Sequence, residues 1–273
     1  MRYQKLAFRR KQDFLSLGLL LFGLISRSAD ASLISLPVLD PSQIGPIFDV
    51  LASTVVFRSL EPPSHPKVFG LWANIRTNIT SAEAISSFTQ LSQSNIPFGN
   101  IQAGVNIPFG LGLELGYLPL PSFSGTTFSS CGLGLKWNVT SVFYSKLPFD
   151  FALRTTYSSA KMSYEQSIEG DSVNVDYSTK IYGGTLMLSK VLLFLEPYFA
   201  YGFVHHSSTL SGSGSVSIFN NNFPALTGQV ADGKTSSWLQ AGVELKLLML
   251  AIGFQYDRVF NTSTSSFKVG LKF

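Results

Sequence analysis

The 273-residue chain has a single cysteine, Cys131, so no intrachain disulfide framework braces it. Charge is scarce as well: Asp, Glu, Lys and Arg make up 13% of residues, against roughly 25% in ordinary soluble domains. Even the basic excess is local. Residues 1–31 hold six of the 20 basic residues and two of the 16 acidic ones, so the remainder carries 14 of each and no net charge. A nucleic-acid partner is therefore not implied. Beyond residue 31 no apolar run approaches the length a helical membrane span needs. Yet 45% of the chain is hydrophobic, with 23 Phe, 10 Tyr and 3 Trp. An apolar, charge-poor chain without helical spans has one remaining way to cross lipid. That way is a set of strands closed into an antiparallel up-and-down β-barrel, where every backbone group finds a partner.

The two ends fit that class. Arg2, Lys5, Arg9, Arg10 and Lys11 precede an apolar run from Phe14 to Ile25, and Ala29-Asp30-Ala31 supplies the small residues that signal peptidase accepts. The reading is a signal peptide over 1–31, cut before Ser32. No cysteine follows the cut, so it is not a lipoprotein signal. At the far end Phe267, Val269, Leu271 and Phe273 alternate with Ser266, Lys268, Gly270 and Lys272, a period of two. A last strand of this kind, ending in Phe, resembles the C-terminal assembly signal of Gram-negative outer-membrane proteins. The resemblance implies recognition by the barrel-assembly machinery and a place in the outer membrane of a diderm bacterium, with both termini periplasmic and membrane lipid as a partner.

Between residues 68 and 273 ten segments alternate between an apolar face and a polar or glycine-rich one: 68–80, 99–107, 111–119, 129–140, 149–163, 172–189, 193–208, 236–248, 250–259 and the C-terminal strand. The connections between them alternate in length. Long ones over 81–98, 120–128, 164–171, 209–235 and 260–265 read as external. Short ones at Pro108-Phe109-Gly110, 141–148, Lys190-Val191-Leu192 and near Met249 read as periplasmic. Ten strands are expected; merging or splitting one irregular hairpin gives eight or twelve.

Residues 32–67 form a separate N-terminal segment. Asp40-Pro41 is a helix start, and Ile44, Ile47, Phe48 and Leu51 fall at helical spacing on one apolar face. Gly45-Pro46 predicts a kink, or a helix beginning only at Pro46. Two placements fit an amphipathic helix ahead of the first strand: a plug in the lumen, or a helix resting on the membrane interface.

Charges on the polar faces belong inward, because each would cost about 2–4 kcal/mol in the middle of the lipid face. They are Arg76, Glu114, Lys136, Arg154, Glu196, Glu244, Lys246, Asp257, Lys268 and Lys272. A hairpin with a 260–265 loop places Asp257 across from Lys268, and Glu114 falls between Gly104 and Gly134. Such charges either brace the wall as ion pairs or tune a narrow pore. His205-His206-Ser207-Ser208 resembles the barrel-embedded lipid A deacylases and outer-membrane phospholipases in setting a His and a Ser two residues apart. It lacks the Asn that follows the Ser in those families, and no acidic residue follows within twenty. Adjacent histidines point to opposite faces of a strand and make a poor metal pair, so neither a metal nor a cofactor is expected, and no enzyme. In its small lumen the chain looks similar to OmpW-type and FadL-type barrels, the latter with an N-terminal plug. The expected function is a narrow channel or carrier for small solutes, apolar ones included. A surface-interaction barrel acting through loops 82–97 and 209–235, or an outer-leaflet lipid hydrolase, are the alternatives.

Overall fold

A computed structural model describes residues 41–64, 69–83, 95–119, 126–143, 147–168, 171–214 and 229–273. The expected leader, and the tips of loops 82–97 and 209–235, lie outside the described residues. The chain begins with helix α1 (Pro41–Val55) and continues into β1 (Gly70–Ser81), β2 (Asn95–Ile107), β3 (Leu111–Pro119) and β4 (Thr126–Asn138). A short helix α2 (Val139–Phe143) leads to β5 (Asp150–Ile168), β6 (Asp171–Ser189) and β7 (Leu195–Gly214). Strands β8 (Gln229–Leu247), β9 (Leu250–Val259) and β10 (Thr262–Lys272) complete it. Each strand pairs antiparallel with its neighbours in sequence, and β1 pairs with β10 from Trp72↔Lys272 to Thr80↔Thr264, closing a ten-stranded barrel.

Alternation decides which way each side chain points. Along β1 every second residue is buried: Trp72, Asn74, Arg76, Asn78 and Thr80 face the lumen, while Leu71, Ile75 and Ile79 face outward. The same rule turns Ile101, Leu113, Leu133, Leu186, Phe199 and Phe254 outward. In water that surface would be a severe liability; around a closed barrel it is the face that lipid covers. Cys131 is unpaired and lies on this outer face. The terminal set Phe267, Val269, Leu271 and Phe273 is outward too.

The two ends of the barrel differ. At one end two-residue turns close β8–β9 at Leu248-Met249 and β7 follows β6 through a tight turn at Leu193-Phe194, with Leu193 and Leu248 in the left-handed region. At the other end β5 to β8, each of 19 or 20 residues, stand beyond their neighbours of 9 to 13. Strand pairing takes up length that the sequence assigned to loops. Only residues 169–170 separate β5 from β6, and β7 and β8 extend into the expected 209–235 loop. The 260–265 connection is likewise a two-residue turn, with Phe260 at φ 51° and Asn261 at φ 58°. That is the backbone of a type I′ hairpin, whose twist suits the strands it joins. The register moves accordingly: Asp257 lies opposite Thr264 and Lys268 opposite Gly253, so the expected Asp257–Lys268 pair does not form. Four polar residues of the sixth strand, Asn174, Asp176, Ser178 and Lys180, point outward above the lipid-facing band, and Tyr177, Thr179 and Ile181 point in.

Some wall positions tolerate no side chain. A Cβ at Gly202 would fall far inside contact distance of the Gly184 carbonyl oxygen on the neighbouring strand. Gly202→Val is therefore expected to lower barrel stability by about 1–3 kcal/mol. Urea unfolding in detergent micelles checks this, and an unchanged midpoint would show that the wall yields there.

Candidate functional site

The charges expected on the polar faces do point inward. Arg76, Glu114, Lys136, Arg154, Glu196, Glu244, Asp257 and Lys268 are all 2% exposed or less. Lys246 and Lys272 are partly exposed at the short-turn mouth. Facing them is the chain's own N-terminal segment. Helix α1 and residues 56–64 lie inside the barrel, and residues 48–63, Leu51 apart, are buried throughout.

The helix occupies the tall half. It continues unbroken through Pro46, which merely withholds one donor. Phe48 lies against Tyr177, ring centroids 5.9 Å apart. Ala52, Val55 and Val56 join a cluster with Ala160, Ile181, Val204, Trp238, Val259 and Phe260 from the wall. The packed face is thus Phe48, Ala52 and Val55, rotated from the expected Ile44, Ile47, Phe48 and Leu51. Ile47 and Leu51 are only half-buried, and the side chain of Ile44 lies outside the described residues. A helix ringed by wall has no single solvent face, so apolar spacing alone does not determine its packed side.

Below the helix the chain extends toward the short-turn end, and there the contacts become polar. An extended strand in a lumen has no ladder to satisfy its carbonyls. The wall supplies donors instead. Arg76 Nη1 and Gln102 Nε2 donate to the Arg58 carbonyl at 2.6 and 2.9 Å. Arg154 donates to the carbonyls of Ser59, at 2.9 Å, and Glu61, at 2.5 Å. Lys136 Nζ donates to Pro62 O at 2.9 Å, and Asn138 Nδ2 to Pro63 O at 2.7 Å. Pro62 and Pro63 bring carbonyls without N–H groups, which suits a wall that offers donors.

Side-chain ion pairs fix the same stretch. Arg58 Nε meets Asp257 Oδ1 at 2.7 Å, both groups fully buried. Glu61 pairs with Lys268 and, at 2.7 Å, with Lys272. Glu244 binds the same two lysines at 2.5 Å each. At the mouth Ser64 donates to Glu196, which also holds Lys246 at 2.5 Å. Arg154 reaches Glu114 at 3.2 Å, and Glu114 does sit between Gly104 and Gly134. Phe57 fills the space these wall glycines leave, lying over Gly116, Gly132 and Gly134. Among the described residues Arg76 and Lys136 have no carboxylate at ion-pair distance; plug carbonyls are their partners.

Beside the plug runs a seam of unsatisfied groups. Asn74 and Asn78 on β1, both nitrogens of Arg76 other than Nη1, Asn100 Oδ1 and Gln102 Oε1 on β2, and Ser266 Oγ on β10 have no protein partner. These residues adjoin one another: Asn74 is opposite Gln102, Arg76 opposite Asn100, and Asn78 opposite Ser266. Buried polar groups of this kind bind water or a polar ligand.

The His/Ser cluster divides as strand geometry requires. His205 points outward and bonds Thr235, while His206 and Ser208 are fully buried toward the lumen. His206 Nδ1 lies 3.0 Å from Ser208 Oγ, and His206 Nε2 lies 3.3 Å from Asp49 Oδ1. Asp49 also pairs with Lys234. The missing acid is thus supplied by the helix, about 160 residues away in sequence, which no local motif could reveal. The edge of His206 meets Phe260, and Ser208 donates to Thr179. This Asp–His–Ser array ties plug to wall, and it faces away from the lipid.

The seat should fail when its buried pair is broken. Arg58→Ala leaves Asp257 buried and unpaired, a change that typically costs about 3–5 kcal/mol. We expect chymotrypsin to cut at Phe48 and Phe57 in Arg58→Ala while the barrel stays intact, with Arg58→Ala/Asp257→Asn partly protected again. Equal protection of wild type and Arg58→Ala would show that the pair does not hold the plug.

A family model described as a family of unknown function (DUF6588) matches residues 59–273. No curated protein matches the sequence. Similar solved structures include the translocator domain of the autotransporter NalP from Neisseria meningitidis, at 10% identity over 76% of this chain and 89% of that one, with a TM-score of 0.46. Ail, the attachment invasion locus protein of Yersinia pestis, is 11% identical over 75% and 97%, with a TM-score of 0.36. The outer membrane protease OmpT of Escherichia coli is 10% identical over 79% and 99%, with a TM-score of 0.37. Identities this low reflect the fold alone.

Proposed function

We propose that this chain, which belongs to the family of unknown function DUF6588, is an outer-membrane conduit for small oxygen-rich anions, held shut by its own N-terminal segment. The observation that carries the reading is the set of plug carbonyls, those of Arg58, Ser59, Glu61, Pro62 and Pro63, each capped by a wall donor. Three of the five donor side chains are cations. A solute that takes the place of the plug has to offer acceptors to Arg76, Lys136 and Arg154, as a carboxylate, phosphate or acidic sugar does. The unsatisfied seam beside Arg76 supplies a polar path along β1, β2 and β10. Apolar solutes, which composition alone left open, would have to pass these buried donors and ion pairs, and the apolar wall below the helix is limited to patches such as Ala152, Met187, Tyr198 and Ala200.

The outward apolar band, the terminal Phe and the difference between tall and short ends support an outer-membrane place, with the tall hairpins outside and the short turns in the periplasm. The outward set Phe267, Val269, Leu271 and Phe273 is then the part offered to the assembly machinery. On this orientation the described chain enters the lumen at the outer end, where Asp49 meets His206 and Lys234, and leaves it near Glu196. The N-terminus itself lies outside the described residues. We read the Asp49–His206–Ser208 array as a latch for the plug rather than a hydrolase, because its serine is sealed and turned from the lipid.

Single-channel recording of refolded residues 32–273 in a planar bilayer tests the conduit. Wild type should be mostly closed, and Glu61→Gln, which alters only the plug, should show frequent discrete openings. In a salt gradient the reversal potential should lie on the anion side and move toward zero in Arg76→Gln/Lys136→Gln. Silence from Glu61→Gln, with folding confirmed by heat-dependent gel mobility, or a cation preference, would overturn the reading.

A further inference from the structure

The outer surface of β5, β6 and β7 can be followed level by level, because the register of all three strands is known. Starting near the short-turn end, the outward rows are Phe151, Leu188 and Phe199, then Leu153, Leu186 and Tyr201. Above a row of Thr155, Gly184 and Phe203 come Tyr157, Tyr182 and His205, with the two tyrosine rings 5.1 Å apart. Above this level the chemistry changes abruptly. The next rows are Ser159, Lys180 and Ser207, then Lys161, Ser178 and Thr209, then Ser163, Asp176 and Ser211. Across these three rows six hydroxyls, two lysines and one carboxylate replace the largely apolar wall.

Aromatic residues mark the boundary between hydrocarbon and headgroups, so the tyrosine row sets the level of the outer lipid surface. Lys180 lies one row above it and Lys161 two rows above, diagonal neighbours on adjacent strands, near enough to share one ligand. Neither has an acidic partner among the described residues. Asp176 is occupied by Ser163, at 2.5 Å from its hydroxyl. A shallow cavity of about 100 Å³ opens here among Lys161, Ser163, Asp176, Ser178, Thr209 and Ser211. Lysine is a point-charge binder of phosphate, and rows of hydroxyls suit sugar.

We propose that this face binds the phosphorylated sugar headgroup of an outer-leaflet glycolipid, its acyl chains lying along the apolar rows below Tyr157 and Tyr182. The phosphate bridges Lys161 and Lys180, and the sugar hydroxyls meet the serine and threonine rows. Asp176, at the top of the patch, accepts from a sugar hydroxyl and keeps the phosphate at the lysine level by repulsion. The inference rests on the outer-membrane reading with the tall hairpins outside; it does not depend on the conduit.

The test uses refolded residues 32–273 in detergent micelles, titrated with bisphosphorylated lipid A, the same lipid stripped of its phosphates, and phosphatidylglycerol. Native mass spectrometry reads the bound lipid, and heat-dependent gel mobility reports folding independently. Wild type should bind the bisphosphorylated lipid, and Lys161→Gln/Lys180→Gln should bind it on the order of tenfold to thirtyfold more weakly with unchanged gel mobility. Ser178→Trp, which fills the cavity and keeps both charges, should weaken binding as well. Equal binding of the stripped lipid, equal binding of phosphatidylglycerol, or undiminished binding by the double variant would each overturn the proposal. None of these outcomes bears on conductance, so the conduit stands or falls separately.

Discussion

A peptide carbonyl removed from water must find a donor, and the lumen of this barrel is built around that requirement. Strands satisfy one another around the wall, so nothing of the wall's backbone is left for a segment running down the middle. The donors therefore come from side chains, and residues 58–63 engage Arg76, Gln102, Lys136, Asn138 and Arg154 from four strands. The inward charges then cease to be a puzzle. They are spaced along the path of the segment, and Arg76 and Lys136, which have no carboxylate at ion-pair distance among the described residues, are held by its carbonyls.

The plug accordingly has two kinds of attachment. Its helix is held among apolar side chains of the tall strands, with the Asp49–His206 contact as one polar tie. Its extended part is held by charge-assisted hydrogen bonds and buried ion pairs. Apolar burial falls roughly with area as surfaces separate, whereas a buried ion pair is costly to leave half-made and cheap to exchange for another partner of the same charge. On the conduit proposed above, the lower half is the part where a competing anion has leverage.

Period-two alternation made the wall legible in the sequence, because a strand with lipid on one side and lumen on the other obeys it almost without exception. All ten strands were visible in this way, and so was the inward direction of Arg76, Glu114, Lys136 and Lys268. Partnerships were not. Lys268 reads as the mate of Asp257 if six residues form the last loop, but Phe260 accepts a left-handed backbone because its ring is buried in the lumen, and the turn shrinks to two residues. Loop lengths misled for the same reason: Ser, Gly and Thr look like loop residues, yet above the lipid a strand can carry polar groups on its outer face, as Thr209 and Ser211 of the expected 209–235 loop do. The plug's contacts were beyond reach, since a segment inside a barrel meets residues from the whole circumference. Arg58 and Glu61, the plug's two main anchors, stand in a stretch without periodicity, and only their being charges just before Pro62-Pro63 could have drawn notice.

The path of the chain through the lumen has a mechanical consequence. Ser64 is fixed at the short-turn mouth, and only four residues separate it from Phe69, where the first strand is about to begin. So short a leash spans at most about 18 Å, even fully stretched. The proline end is tethered by chain length, whereas among the described residues the helix is held to the wall strands by contacts alone, its apolar packing and the ties of Asp49 to His206 and Lys234. On the conduit proposed above, opening would resemble that of a hinged door, with Phe69 as the pin and the helix as the far edge.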